Sequence, residues 1–188
     1  MENKNKIILL IAWGLLFTFA VEMIAPIYAI FVKNIGENIL SVGVAYAIYG
    51  IVFSTLQPFM GKLADKYGRI RFSILANLIN SIGLFGYIFI THIYHVYLIQ
   101  ILLGIGSSIA SPSQQAMMAD ITSKKKRGEE FGYIYMAMGY SSALAAIVAG
   151  VIADFISFQM VFLIGAIIAL LSTVPLIKLE RILSIKGK

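Results

Sequence analysis

Glu22 is the one acidic residue set deep inside a long apolar run, and Pro26 follows it four residues later. Proline has no N–H to give the carbonyl of Glu22, and its ring pushes that carbonyl away. A carboxyl and a freed backbone carbonyl therefore sit at one level, roughly 22 Å from the start of the run at helical rise. An ionisable group in such a place is a candidate for proton coupling or for binding a substrate. The structural alternative is a neutral Glu22 bonded to a Tyr or Ser of a neighbouring helix. A second polar set recurs at steps of three and four residues: Gln100, Gly104, Ser107, Ser111 and Gln114 share one helical face. Thr18 lies on the face of Glu22, and Tyr49 and Gln57 add polar groups from another run. These faces are expected to wall a cavity, with interhelical packing as the alternative, because small polar residues are common where membrane helices touch.

A third set is charged. The stretch GKLADKYGRIR, residues 61–71, holds four of the fifteen basic residues between two apolar runs. Gly61 and Gly68 suit tight turns at helix ends, and Asp65 sits among Lys66 and Arg69. Asp120 is expected at the same membrane face, paired with Lys66 or Arg69. The alternative is a solvated loop whose charges only set orientation.

The elements that must carry these residues are membrane spans. The chain has 188 residues, 60% apolar and 13% charged, against about 25% charged in soluble domains. Six apolar runs of about the length needed to cross the hydrocarbon core fall at 7–32, 39–60, 72–90, 94–118, 131–153 and 158–177. The first is too long for a cleaved leader and contains Glu22 and Pro26, so it reads as a retained helix. Fourteen of the fifteen basic residues then lie on one side; only Lys33 lies on the other. Positive loops stay cytoplasmic, which predicts a multi-pass protein with both termini inside, the residues 178–188 forming a cytoplasmic tail. The net charge of +6 is accounted for by these loops, and no nucleic-acid partner is expected. There is no cysteine, which excludes disulfides, thiolate metal sites and cysteine nucleophiles. No metal or cofactor is expected. An intramembrane serine protease would need a histidine base, and the only histidines, His92 and His95, fall between the third and fourth runs.

The chain also repeats itself. Gly-x-aliphatic-Ala-Asp occurs at 61–65 and again at 150–154, and Pro26 is matched by Pro112, 86 residues on. Residues 7–90 and 94–177 thus read as two copies of a three-helix unit. Three is odd, so the second copy is inverted, and its turn falls outside, where basic residues are disfavoured. That explains why the first turn is charged and the second bare.

The segment GKLADKYGR resembles the signature loop between helices 2 and 3 of the major facilitator superfamily, with Gly61, Asp65, Lys66, Gly68 and Arg69 in its fixed places. PSQQAMMADITSKKKRGEEFGY resembles the end of that family's helix 4 and its following loop, with Asp120, Arg127 and Gly128. The resemblance covers the whole chain as one half of a twelve-helix transporter. It implies one all-α six-helix domain over 1–188, secondary transport of a small molecule by alternating access, possible proton-coupled efflux, and a conformational latch at Asp65 that meets a helix start in the other half. A plasma-membrane location follows from the same resemblance. Two departures stand against an antiporter. Gln100 occupies the place where the exporters have Arg, and Ala145-Ala146 with Ala149-Gly150 replace their Gly-Pro and Gly-Gly. Beside the lipid bilayer and an unknown small-molecule substrate, the expected partner is a second copy of the chain or a separate six-helix half. The alternative function is a non-transporting or truncated half that assembles with another membrane subunit.

Overall fold

The computed structural model describes residues 2–35 and 38–184. Among the described residues eight helices follow one another: α1 (Glu2–Glu22), α2 (Tyr28–Asn34), α3 (Ile39–Tyr67), α4 (Arg69–Gly86), α5 (Ile93–Ile121), α6 (Arg127–Phe155), α7 (Phe158–Leu171) and α8 (Thr173–Ser184), with a 3₁₀ turn at Tyr87–Phe89 after α4. Among the described residues five helical stretches are long and apolar enough to cross a membrane: Ile39–Tyr67, Arg69–Phe89, Ile93–Ile121, Arg127–Phe155 and Phe158–Leu183.

The first expected span is not one helix. α1 stops at Glu22, and regular bonding resumes only where the Ile27 and Tyr28 N–H groups donate to the Ile24 carbonyl at 3.1 and 2.9 Å. Pro26 is the physical reason, since position 26 cannot donate back to residue 22. The last span bends between α7 and α8. Pro175 leaves the Leu171 carbonyl without its helical donor, and the hydroxyls of Ser172 and Thr173 donate to the Ala169 and Leu170 carbonyls at 2.6 and 2.7 Å.

The charged stretch 61–71 is also corrected. It is not a loop: α3 runs through Lys62, Asp65 and Lys66 to Tyr67, and α4 starts at Arg69. Polar residues ended the apolar run at 60, but nothing in them ends a helix. Gly68 does, at a φ of +107° that side chains with a Cβ avoid.

Two large layers of apolar residues, with a smaller cluster of Ala20, Leu84, Ala166 and Ala169, fill the bundle among the described residues. One gathers Met23, Tyr28, Phe31, Val32, Tyr87, Val96, Val161 and Phe162. Its rings interlock, Phe162 lying 4.8 Å from both Phe31 and Tyr87. The other gathers Leu10, Trp13, Phe17, Ala76, Ile109, Met117, Leu176 and Leu179. α5 packs along both α3 and α4, α4 along α7, and α1 along α6, α7 and α8. Where α7 crosses α1, a Cβ on Gly165 would stand 3.2 Å from the Ala20 carbonyl oxygen, so the backbones touch as small residues permit in membranes. Gly139, Ala143, Ala146 and Gly150 put small residues on one strip of α6, and among the described residues a Cβ at Gly139 or Gly150 finds nothing within 4 Å. Gly43 and Gly50 on α3 are equally open.

Trp13, fully buried, ties the second layer together. The Trp13 indole N–H donates to the Asn77 Oδ1 at 3.3 Å, and the Asn77 amide nitrogen donates to the Ser172 hydroxyl at 2.8 Å, which passes its own proton to the Ala169 carbonyl. The network joins α1, α4 and the α7–α8 bend. Trp13→Ala is expected to lower stability by about 3 kcal/mol, the low end for truncating a buried Trp. Trp13→Phe, which keeps a ring but not the N–H, is expected to cost about 1 kcal/mol. Thermal unfolding in detergent checks the order; equal losses would show that the hydrogen bond, not the packing, sets the effect.

Candidate functional site

Glu22 ends α1 at the edge of a cavity of about 170 Å³. The helix break lets the chain turn there and brings Ala25 and Tyr28 onto the same wall. α3 contributes Tyr46 and Tyr49, α4 Asn80 and Leu84, the 3₁₀ turn Tyr87, and α5 Gln100, Leu103 and Ser107. Gln100, 6% exposed, donates to the Tyr28 hydroxyl at 2.7 Å, so the carboxamide is held across the break. Tyr28 also meets Tyr46 edge-on at 5.4 Å and Tyr87 at 6.3 Å. Glu22 lies within electrostatic reach of the Tyr49 hydroxyl. Among the described residues no cation is paired with it. A carboxyl, two carboxamides and four phenols in a small, half-enclosed space can accept a proton, hold a cation or orient a polar ligand.

Of the expected cavity residues, Glu22, Tyr49, Gln100 and Ser107 come together here. The other four lie outside this space. Thr18 is half-buried on α1, one turn before Glu22, and Gln57 is half-buried two turns beyond Tyr49. Ser111 accepts from the Gln115 amide at 3.1 Å. Gln114 turns to α6, its amide 3.9 Å from the Met138 sulfur. Gly104 serves packing instead: a Cβ there would come within 3.1 Å of the Tyr49 carbonyl oxygen. The reading of the α5 stripe missed that one strip can face different neighbours along its length. Asn80, Tyr28, Tyr46 and Tyr87 were not singled out. Asn77 and Asn80, two amides three residues apart inside an apolar run, were the available signal.

The charged cluster sits at the other end of the bundle. Arg69 spans two carboxylates: its Nε donates to Asp65 Oδ1 at 2.8 Å and its Nη1 to Asp120 Oδ2 at 2.6 Å. Of the two cations considered for Asp120, it is Arg69 that reaches it. Lys66 instead lies 5.1 Å over the ring of Tyr67. Gly68 sets the chain reversal that lets residue 69 reach back to 65, and Gly61 packs against Pro112, with a would-be Cβ at 3.6 Å. Arg127 donates to the Ala119 carbonyl at 2.9 Å and so satisfies the end of α5. Arg71 pairs with Glu180 of α8 at 2.5 Å. Asp65, Arg69, Arg71, Asp120 and Glu180, with Lys6, rim a cavity of about 780 Å³. Both chain ends reach it, through Lys6 and Leu10 of α1 and Leu179 and Leu183 of α8. Lys186 and Lys188, counted in the charge asymmetry, lie outside the described residues.

Comparison with known proteins agrees with this architecture. The chain is 30% identical over 161 residues to the MFS-type transporter YitZ of Bacillus subtilis, covering 85% of this chain and 98% of that protein. It is 29% identical to multidrug resistance protein 2 of the same organism, covering 92% of this chain and 43% of that protein. The multi-drug resistance efflux pump PmrA of Streptococcus pneumoniae is 29% identical over 82% of this chain and 40% of its own length. The chain thus spans under half of those two relatives. A crystal structure of the peptide transporter POT superposes with a TM-score of 0.77 at 19% identity, over 91% of this chain and 37% of that one, which shows the shared fold. Residues 10–184 match the model of the Major Facilitator Superfamily, and with five helical stretches able to span a membrane among the described residues, the chain belongs to that family.

Proposed function

We propose that this chain is one half of a secondary transporter that exports a small molecule by alternating access, coupled to protons through Glu22. The observation that carries the reading is the placement of that carboxyl: it ends a broken helix and faces a polar cavity, inside a family of transporters. Relatives named for multidrug resistance and efflux support the export direction. In this reading α1 and α2 together make the sixth span, both termini are cytoplasmic, and the protein resides in the plasma membrane. Basic residues cluster at the end of the bundle where α1 begins and α8 ends, and the positive-inside rule supports the orientation.

Two inverted three-helix units are part of the proposal. Their support is the pairing pattern. If α1–α2, α3 and α4 correspond in turn to α5, α6 and α7–α8, the packing of α3 on α5 becomes that of α6 on α1. That of α4 on α5 becomes that of α7–α8 on α1, and the α4–α7 contact maps onto itself.

The open small-residue strips on α3 and α6 suit a second six-helix half related by an axis along the membrane normal. We assign that half to a second copy of the chain, with two-fold symmetry. The relative YitZ, matched over nearly its whole length, supports a working unit of this size. Asp65 of each copy would then meet a helix start in the other.

The experiment is flux of a fluorescent organic cation in proteoliposomes that contain this chain alone. Flux driven by an imposed pH gradient is expected. No flux above empty liposomes, with the protein folded and inserted, would overturn the reading.

A further inference from the structure

One wall of the Glu22 cavity belongs to the open face of the bundle. Tyr46 lines the cavity and is 54% exposed. Gly43 and Gly50 stand three residues before it and four after, on the same strip of α3, and there a Cβ finds nothing within 4 Å among the described residues. The strip that suits a second copy therefore runs along the rim of the cavity. Size points the same way. The cavity is about 170 Å³, whereas sites for drug-sized molecules begin at about 300 Å³. One copy thus encloses little more than half of such a site, and two copies joined along α3 would reach that range. Among the described residues Glu22 is the one carboxyl on the lining, and no cation stands there. The other titratable groups are the phenols of Tyr28, Tyr46, Tyr49 and Tyr87; what α4 and α5 add is uncharged.

We infer, resting on the two-copy reading above, that the two cavities join into one substrate site across the two-fold axis, that each copy contributes its Glu22, and that two protons are exchanged for each molecule exported. Two separate cavities would exchange one proton for each molecule instead. The step makes and breaks only O–H bonds: each carboxylate takes a proton on the outer side and releases it on the cytoplasmic side. For a substrate with one positive charge, two protons enter as one cation leaves, so one net charge moves inward.

The test is a null-point measurement in proteoliposomes of the full chain, acidic outside by one pH unit, with the membrane potential clamped at zero. Ethidium is the probe, because its single charge does not titrate. Net flux is expected to vanish at an ethidium gradient of about a hundredfold, since each proton moved across one pH unit offsets about a tenfold ratio. Mixed dimers of wild-type and Glu22→Gln copies, isolated through two different tags, are expected to null at about tenfold. An inside-negative potential should raise the wild-type null and leave that of the mixed dimer in place. A mixed dimer that moves no ethidium against the gradient would also support the shared site, because separate cavities would keep half the flux. A wild-type null at about tenfold, with the two tagged copies purifying together, would overturn the shared site and leave the two-copy reading standing. A mixed dimer that still nulls near a hundredfold would overturn the assignment of one proton to each Glu22. Failure of the tagged copies to purify together would overturn the two-copy reading and the inference with it.

Discussion

Glu22→Gln is expected to abolish the acceleration of flux by a pH gradient while the protein remains folded and still binds the probe cation. The amide keeps the size and the hydrogen-bonding capacity of the carboxyl but cannot gain or lose a proton. Glu22 is half-buried at the cavity edge, so the replacement creates no void and packing should not register it. Gradient-driven flux is expected to fall at least about tenfold, an effect on turnover rather than on affinity. Glu22→Asp should recover part of it, because the ionisable group returns on a shorter stem. Wild-type response to pH in the Gln variant would leave Glu22 as a structural group and remove the coupling proposal.

Arg69→Gln is expected to show the opposite balance between charge and stability that its geometry implies. Its side chain is 33% exposed, and the carboxylates it bridges, Asp65 and Asp120, are 63% and 66% exposed. Exposed pairs of this kind contribute about 0–1 kcal/mol each, so the melting temperature should move little. A difference of about 1 kcal/mol between two conformations still changes their ratio about fivefold. If the bridge forms in only one conformation, transport should fall several-fold while folded yield holds. Asp120→Asn, which removes one arm, should fall between the variant and the wild type. High salt should imitate the variant in part, since exposed charges are screened. Parallel losses of transport and folded protein would instead make the cluster a folding element.

Much of the fold was legible because a membrane span announces itself by length and composition. The runs at 39–60, 72–90, 94–118, 131–153 and 158–177 all lie within helices, apart from the 3₁₀ turn and one further residue after α4 and the bend at Ser172. What hydropathy does not report is where a helix ends. It ended the second run at Met60, although α3 continues to Tyr67, because lysines and aspartate leave the hydrocarbon without leaving the helix. It ran the first span unbroken through Pro26, because Met23, Ile24 and Ala25 are as apolar in a turn as in a helix. Pro26 carried the right signal, and its consequence was legible in the freed carbonyl of Glu22.

The site was legible in part. Glu22 and Gln100 stood out as polar groups inside apolar runs, and the cavity contains both. The bond that holds Gln100 was not legible, since its partner is Tyr28, an ordinary aromatic until the break brings it against Gln100. Ser111 and Gln114 shared a helical strip with Gln100, yet about three to four turns further along the strip meets other neighbours. The face of α6 could not be read either. Gly139 and Gly150 have the spacing of a packing seam, and sequence does not say whether the seam closes within one chain or between two.

Whether two copies rock about a shared cavity is the central question, and distances between spin labels answer it most directly. The chain has no cysteine, so one introduced thiol gives one label per copy. Lys62→Cys marks the end of the bundle that carries the charged cluster, and Thr91→Cys the opposite end; both positions are exposed. In proteoliposomes each label should report a distance to its counterpart in the second copy. Acidification should move the two distances in opposite directions, one end closing as the other opens. Absence of any distance between copies, or two distances that stay fixed or shift in the same sense, would contradict the account.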